Sequence, residues 1–355
     1  MLITIIQYAW GSFTSVGVID YASSIIWTKR FNDAGFFELY LKADAATIAK
    51  FSGEIFLRSS EDDTLMYVEK VEITTDLDEG SYITVSGRSA ECLLERRIVY
   101  PQWNFSGTVE NGIRELLTEN VISPSASSRR MPFVVLGAAN GWTDTMQKQV
   151  MGQDLLTVVK ELCKAQDYGF RFDFNGQTLT FELYKGTNRS YSQSANPYVV
   201  FSPAFENLAN TEYSEDKSKA FNYAYVGGEG EGTARTVATL GYHGTASAGL
   251  YLCEKWIDSR NTSSNNGGIS QGEYMRLLYQ QANEALNGSG RTVKTFSGEL
   301  LDSGIFMAGV DYGLGDTIQI ENEFGITGTA VVEEINFVED ATGFRTYPTL
   351  SEWSV

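Results

Sequence analysis

At 355 residues the chain exceeds the size at which one hydrophobic core stops growing, so two or more compact units are expected. With 43% hydrophobic residues, 20% charged residues and an abundance of Tyr, Phe and Gly, it belongs to the folded, turn-rich, strand-leaning class and not to the disordered one. A formal net charge of −18 repels phosphate, which excludes nucleic-acid binding through a basic footprint and docking on anionic membranes.

The first residues, MLITIIQYAW, lack a basic leader and are interrupted by Gln7, so they read as a β-strand and not as a signal peptide. From residue 2 to about 98, short β-branched and aromatic runs alternate with turn residues. They predict strands at Leu2–Tyr8, Ser15–Ile19, Ser24–Phe31, Phe36–Leu41, Ile55–Arg58, Leu65–Thr75 and Tyr82–Ser86, with one short helix at Ala43–Lys50. This is the pattern of a small antiparallel barrel or sandwich. Asp76-Leu77-Asp78-Glu79-Gly80 is read as the turn of a hairpin between the last two strands.

The texture changes after Pro101. Thr108–Glu119 and Gln153–Lys164 carry apolar residues at helical spacing, with Thr108 and Asp154 as N-terminal caps. Between them, Ser123–Arg130 is a polar loop. Phe170–Phe174 and Thr178–Tyr184 flank Asn175-Gly176, which predicts a hairpin closed by a tight turn with two positive-φ residues. Residues 99–200 therefore read as an α+β insert of two helices and a hairpin, with Ser190–Pro197 as the linker to the C-terminal region. Strand texture returns in 201–355, with Phe221–Val226, Thr317–Glu321 and Thr329–Phe337 as clear strands of a second barrel. That barrel is interrupted at about 227–291 by loops and a helix at Glu273–Leu286. No apolar run approaches the roughly 20 residues of a membrane-spanning helix, so a soluble protein or assembly is expected.

The candidate chemical motifs fail on their own terms. Gly227-Gly228-Glu229-Gly230-Glu231-Gly232 is glycine-rich, but its two glutamates would repel a phosphate and no Lys-Ser/Thr follows. His243 is the only histidine, and no Gly-x-Ser-x-Gly elbow accompanies it. Asp62-Asp63 and Glu333-Glu334 are read as surface charge, because a glycosidase needs a spatial separation and not sequence neighbours. Asp76-x-Asp78-x-Gly80 begins like a calcium loop, yet its glycine is one position early and the twelfth position is Gly87. Cys92, Cys163 and Cys253 are too scattered for a disulfide framework or zinc site, and they point to synthesis in a reducing cytoplasm. Trp27, Trp103 and Trp142 are read as buried or interfacial rather than as a sugar platform. No residue is given a catalytic, cofactor-binding or metal-ligating role.

A set of segments in fixed order resembles the siphovirus-type tail hub family, proteins at the distal end of long non-contractile phage tails that are related to the central hub of contractile tails. They are Gly17–Asp20 running into Ser24–Arg30, Gly35–Leu41, Val71–Thr75, Val85–Ser89, Ser106–Val109, Phe181–Gly186, Phe201–Pro203 and Asp311–Asp316. The resemblance spans nearly the whole chain. It implies a mainly β fold of two tail-tube-like barrels with the α+β insert, and a trimer whose barrels form a pseudo-sixfold ring. It further implies a non-enzymatic virion protein of a phage or prophage. Such a hub joins the sixfold tail to threefold tip proteins, with the distal tail protein, tail tube, tape-measure protein and receptor-binding proteins as partners. DNA would pass through its channel, along a wall whose acidity prevents sticking. Because the chain stops at Val355, soon after its last expected strand, lysis and receptor binding are expected of a partner. A carbohydrate-binding module and a cell-wall hydrolase are the alternatives.

Overall fold

The computed structural model describes residues 1–76, 80–241, 248–264, 268–288, 290–300 and 305–351, with side chains for all of these except 295–300. They divide into two units, Met1–Asn210 with Gly298–Ser351, and Thr211–Ser297.

The early β-branched runs form β1 (Ile3–Ala9), β2 (Ser12–Ile19), β3 (Ser24–Arg30), β4 (Phe36–Lys42), β5 (Ile55–Ser59), β6 (Leu65–Asp76) and β7 (Gly80–Ser89). They pair antiparallel in the order β3-β4-β7-β6-β5-β1-β2. Period-two alternation sends Phe37, Leu39 and Leu41 of β4 inward, where they join Ile3, Ile5, Trp27, Leu57, Met66, Ile83 and Val85 in one core. Each fully buried side chain of this size contributes roughly 1.5–3 kcal/mol. Helix α1 (Ala45–Ala49) follows β4 and starts at Asp44, whose carboxylate accepts the Thr47 N–H at 2.7 Å. A bulge in β6 between Val68 and Lys70 brings the backbone against Gly87, where a Cβ would sit 2.0 Å from the Tyr67 carbonyl oxygen. Only glycine fits there.

The insert contains β8 (Trp103–Thr108), α2 (Val109–Leu117), β9 (Val134–Leu136), β10 (Thr145–Val150), α3 (Leu155–Lys164), β11 (Gly169–Phe174) and β12 (Leu179–Tyr184). Thr108 and Asp154 cap the two helices as their positions suggested. The apolar helix faces, Ile113, Leu116 and Leu117 on α2 and Leu156, Val159 and Leu162 on α3, share a core with Ile6, Phe13, Phe56 and Leu65 from the other face of the N-terminal sheet. That sheet is thus covered on two sides. The β11–β12 hairpin forms, but its connection is longer than the two-residue turn expected. Asn175 to Thr178 lie between the paired Phe174 and Leu179, and of Asn175 and Gly176 only the glycine has positive φ, at 100°. Asn175 works through its side chain instead, its Oδ1 accepting the Gln177 and Thr178 N–H groups at 3.0 and 2.9 Å.

After β13 (Val200–Phe201), the chain leaves through β14 (Leu208–Asp216). The second unit contains β15 (Tyr223–Gly227), β16 (Val237–Gly241), β17 (Glu254–Asp258) and α4 (Gln271–Asn287). Strand β15 pairs antiparallel with β16 and parallel with β17. Helix α4 opens with a full capping box between Ser270 and Glu273 and packs Tyr274, Leu278 and Ala282 on Ala224, Val226 and Ala238. The segment Phe221–Val226, read from sequence as a barrel strand, therefore lies in this separate sheet. The expected loop-and-helix interruption holds two further strands, too short and too weakly apolar to stand out.

Strand β18 (Val293–Leu300) pairs with β14, and the chain ends in β19 (Thr317–Glu321), β20 (Thr327–Asp340) and β21 (Gly343–Leu350). The long β20 pairs with β19, β21 and β3, so the last strands complete the sheet begun by the first. Val199, Phe201, Tyr312, Ile318, Val332 and Ile335 form their core. The fold is mainly β, and among the described residues the strand order runs open from β13 to β2 without closing a barrel.

Candidate functional site

A cleft of about 740 Å³ opens in the first unit between the ends of β3 and β5, the segment Ser89–Glu91, the β11 strand and the loop before β19. Lys29 lies near the end of β3, and the Asp62 carboxylate meets its ammonium at 2.5 Å. Burial disfavours the Asp62 charge, but Lys29 and the Thr64 donors outweigh it and hold the carboxyl below its ordinary value. Arg30 pairs with Glu334 at 2.7 Å, Arg58 with Asp63, and Arg171 with Asp173 at 2.7 Å.

At the cleft wall Glu91 sits in the apolar turn Ala90–Arg96, only 4% exposed. Its Oε1 accepts the Phe172 N–H at 2.6 Å, whereas Oε2 has no hydrogen-bond partner. Burial, only partly offset by Ser89 and by backbone donors, raises its pKa above the ordinary glutamate range.

A second polar junction explains two of the segments singled out from sequence. Gly186, which ends Phe181–Gly186, lies where a Cβ would come 1.8 Å from the Gly315 carbonyl oxygen. Beside it the buried Asp316 accepts the Thr187 N–H at 2.6 Å, Arg189 Nε at 2.6 Å and the Gly313 N–H at 3.0 Å. These residues fasten the insert to the C-terminal strands.

The other candidates resolve into structure. In the glycine run, Gly228 N–H bonds the Thr236 carbonyl and Glu229 N–H the Tyr274 hydroxyl. The carbonyls of Gly227 and Gly228 face the Arg235 guanidinium at 2.7 and 3.0 Å, the reverse of a phosphate cradle. His243 lies outside the described residues, as do Leu77, Asp78 and Glu79. The flanking β6 and β7 pair in register up to Asp76 and Gly80, so the span from 80 to 87 is strand and not a cation loop. Trp27 is fully buried, Trp103 donates to Glu115 Oε1 at 2.9 Å, and Trp142 packs on Tyr168 at 4.3 Å between centroids. Glu334 and Asp62-Asp63 form the ion pairs of the cleft. The thiols of Cys92 and Cys163 are buried and pushed up by desolvation, Cys92 to about 12, which makes them unreactive. No group of three metal-ligating side chains occurs among the described residues, and none of their helices is long and apolar enough to cross a membrane.

Sequence reasoning missed Glu91, whose signal is one acid inside Ala90-Glu91-Cys92-Leu93-Leu94. It also missed Trp10, which with Gly11 turns the β1–β2 hairpin at positive φ and is fully exposed.

Among curated proteins, none matches the chain. Among the solved structures that share its fold are three tail proteins. A tail protein from Neisseria meningitidis MC58 is 14% identical, covering 99% of this chain and 96% of its own with a TM-score of 0.58. The prophage tail protein gp18 from Listeria monocytogenes EGD-e is 10% identical over 100% and 94%, with a TM-score of 0.56. The 43 kDa tail protein of prophage MuSo2 from Shewanella oneidensis is 13% identical over 99% and 96%, with a TM-score of 0.53. The model of the Siphovirus ReqiPepy6 Gp37-like protein family matches residues 10–350, nearly the whole length, and the chain belongs to this family of siphovirus tail proteins.

Proposed function

We propose that the chain is the structural, non-enzymatic hub of a phage or prophage tail tip, a trimer that joins the sixfold tail to threefold tip proteins around a DNA channel. One observation carries this reading beyond family membership. Strand β5 pairs with β6 only from Leu65 to Tyr67, so the far edge of β6 beyond that point has no described strand on it, and Val71 and Ile73 are exposed there. Strand β2 ends the sheet with Val16 and Val18 exposed. Long bare edges with apolar side chains are liabilities unless another chain covers them. Separate cores under β1–β7 and under β13 with β19–β21 support two tail-tube-like barrels, and the division 1–98, 99–200 and 201–355 follows that reading. The distal tail protein ring, tail tube, tape-measure protein and receptor-binding proteins are the partners it calls for, in the virion. The −18 charge suits a wall along which DNA slides.

Light scattering after size-exclusion chromatography tests the proposal. Three times 39.3 kDa, alone or on mixing with the distal tail protein, is expected. A monomer under both conditions would sink it. Carbohydrate binding is favoured by one observation, the exposed Trp10, and predicts glycan-array binding that Trp10→Ala removes.

A further inference from the structure

We propose that the cleft beside Glu91 is a docking site for a basic side chain, arginine or lysine, carried by a partner polypeptide. The charge balance of the lining points to a cation. Each basic group there already has an acid of its own: Lys29 has Asp62, Arg30 has Glu334, Arg58 has Asp63 and Arg171 has Asp173. Asp33, also in the lining, is taken by Lys160 at 2.5 Å. Two lining carboxylates, Glu61 and Glu91, have no ion pair among the described residues. Glu61 is exposed and receives only the Ser60 hydroxyl at 2.8 Å, whereas Glu91 is buried with Oε2 unpartnered.

An unmatched polar oxygen at such depth is costly, and a charged one more so. A cation placed against it satisfies the oxygen and the charge together. The described residues offer no three-ligand set for a bare metal ion, and the walls are partly apolar, with Phe170, Phe172, Phe174 and Leu314 lining the cleft. A cation on an alkyl stem matches both features, its methylenes along the rings and its head at the carboxylate. Because Oε2 is covered, entry requires neighbouring side chains to turn, which is common at interfaces on binding. By favouring the carboxylate form the ligand lowers the raised pKa of Glu91, so binding releases protons in the pH range where that group titrates. This site does not depend on the hub assignment and can fail or hold separately from it.

The test is calorimetric titration of the full chain with acetyl-Gly-Arg-Gly-amide, against the same peptide bearing neutral citrulline in place of arginine. Saturable binding of the arginine peptide alone is expected, with proton release seen as a heat that changes with buffer, and a loss of about tenfold or more in Glu91→Gln. Glu61→Gln should change affinity much less, since its group is solvated. Equal binding of both peptides, no saturable binding, or unchanged affinity in Glu91→Gln overturns the proposal. If Glu91→Gln does not fold, a pH series on the wild type decides: binding with no proton release at any pH overturns it, and release within one pH window supports it.

Discussion

Glu110 shows how much one side chain can hold in this molecule. It stands in the first turn of α2, where the helix dipole favours its charge, and its carboxylate accepts the backbone N–H groups of Asn140, Gly141 and Trp142 at 2.6, 2.8 and 3.1 Å. Burial opposes ionisation, but these donors win and lower the pKa below the ordinary 4.5. With the folded-state pKa depressed, the stabilisation is complete above the unfolded value and disappears as pH falls through the folded one. Glu110→Gln is therefore expected to cost about 1.5–3 kcal/mol at neutral pH and progressively less in acid. Urea unfolding at neutral pH and well below the folded pKa checks this. An equal loss at both would mean that the charge is not what matters.

At the scale of elements, the far edge of β6 separates folding from assembly. Val71 and Ile73 are exposed, so Val71→Lys with Ile73→Lys should shift the stability of the single chain by no more than about 0.5 kcal/mol. The same pair of changes places like charges on every copy of the edge and should abolish self-association in light scattering. Retention of an intact trimer would exclude this edge from the interface. The elements themselves were largely legible, because alternation in β4 or helical spacing in α3 is a local property. Asn175-Gly176 marked the right hairpin for a partly wrong reason, since the asparagine acts through its side chain and not its φ. Strands β16 and β17 were missed because five residues with few apolar members leave no period to read.

On the scale of the whole molecule, pairing between distant segments decides the architecture, and local pattern does not encode it. Phe221–Val226 has the same texture as Thr317–Glu321, yet one lies in the sheet under α4 and the other beside β20. The cleft was illegible for the same reason: Lys29, Asp62, Glu91 and Phe172 come from four separated stretches, and only the lone acid of Ala90–Leu94 gave a hint. Because the unit Thr211–Ser297 has a core of its own, calorimetry should show two unfolding transitions. Leu278→Ala, made inside that core, should lower one of them by about 2–5 kcal/mol in stability and leave the other in place. A single transition that moves as a whole would show that the units unfold together.

The pairing of β3 with β20 also sets a clock. Arg30 and Glu334 are 304 residues apart, and at typical synthesis rates the ribosome needs roughly 15–60 s to make that length. For most of that interval β3 and β4 are already made while the strand that completes their sheet is still untranslated. A nascent chain therefore cannot present the finished N-terminal surface to a neighbour, and the order of translation itself delays assembly until β20 has been made.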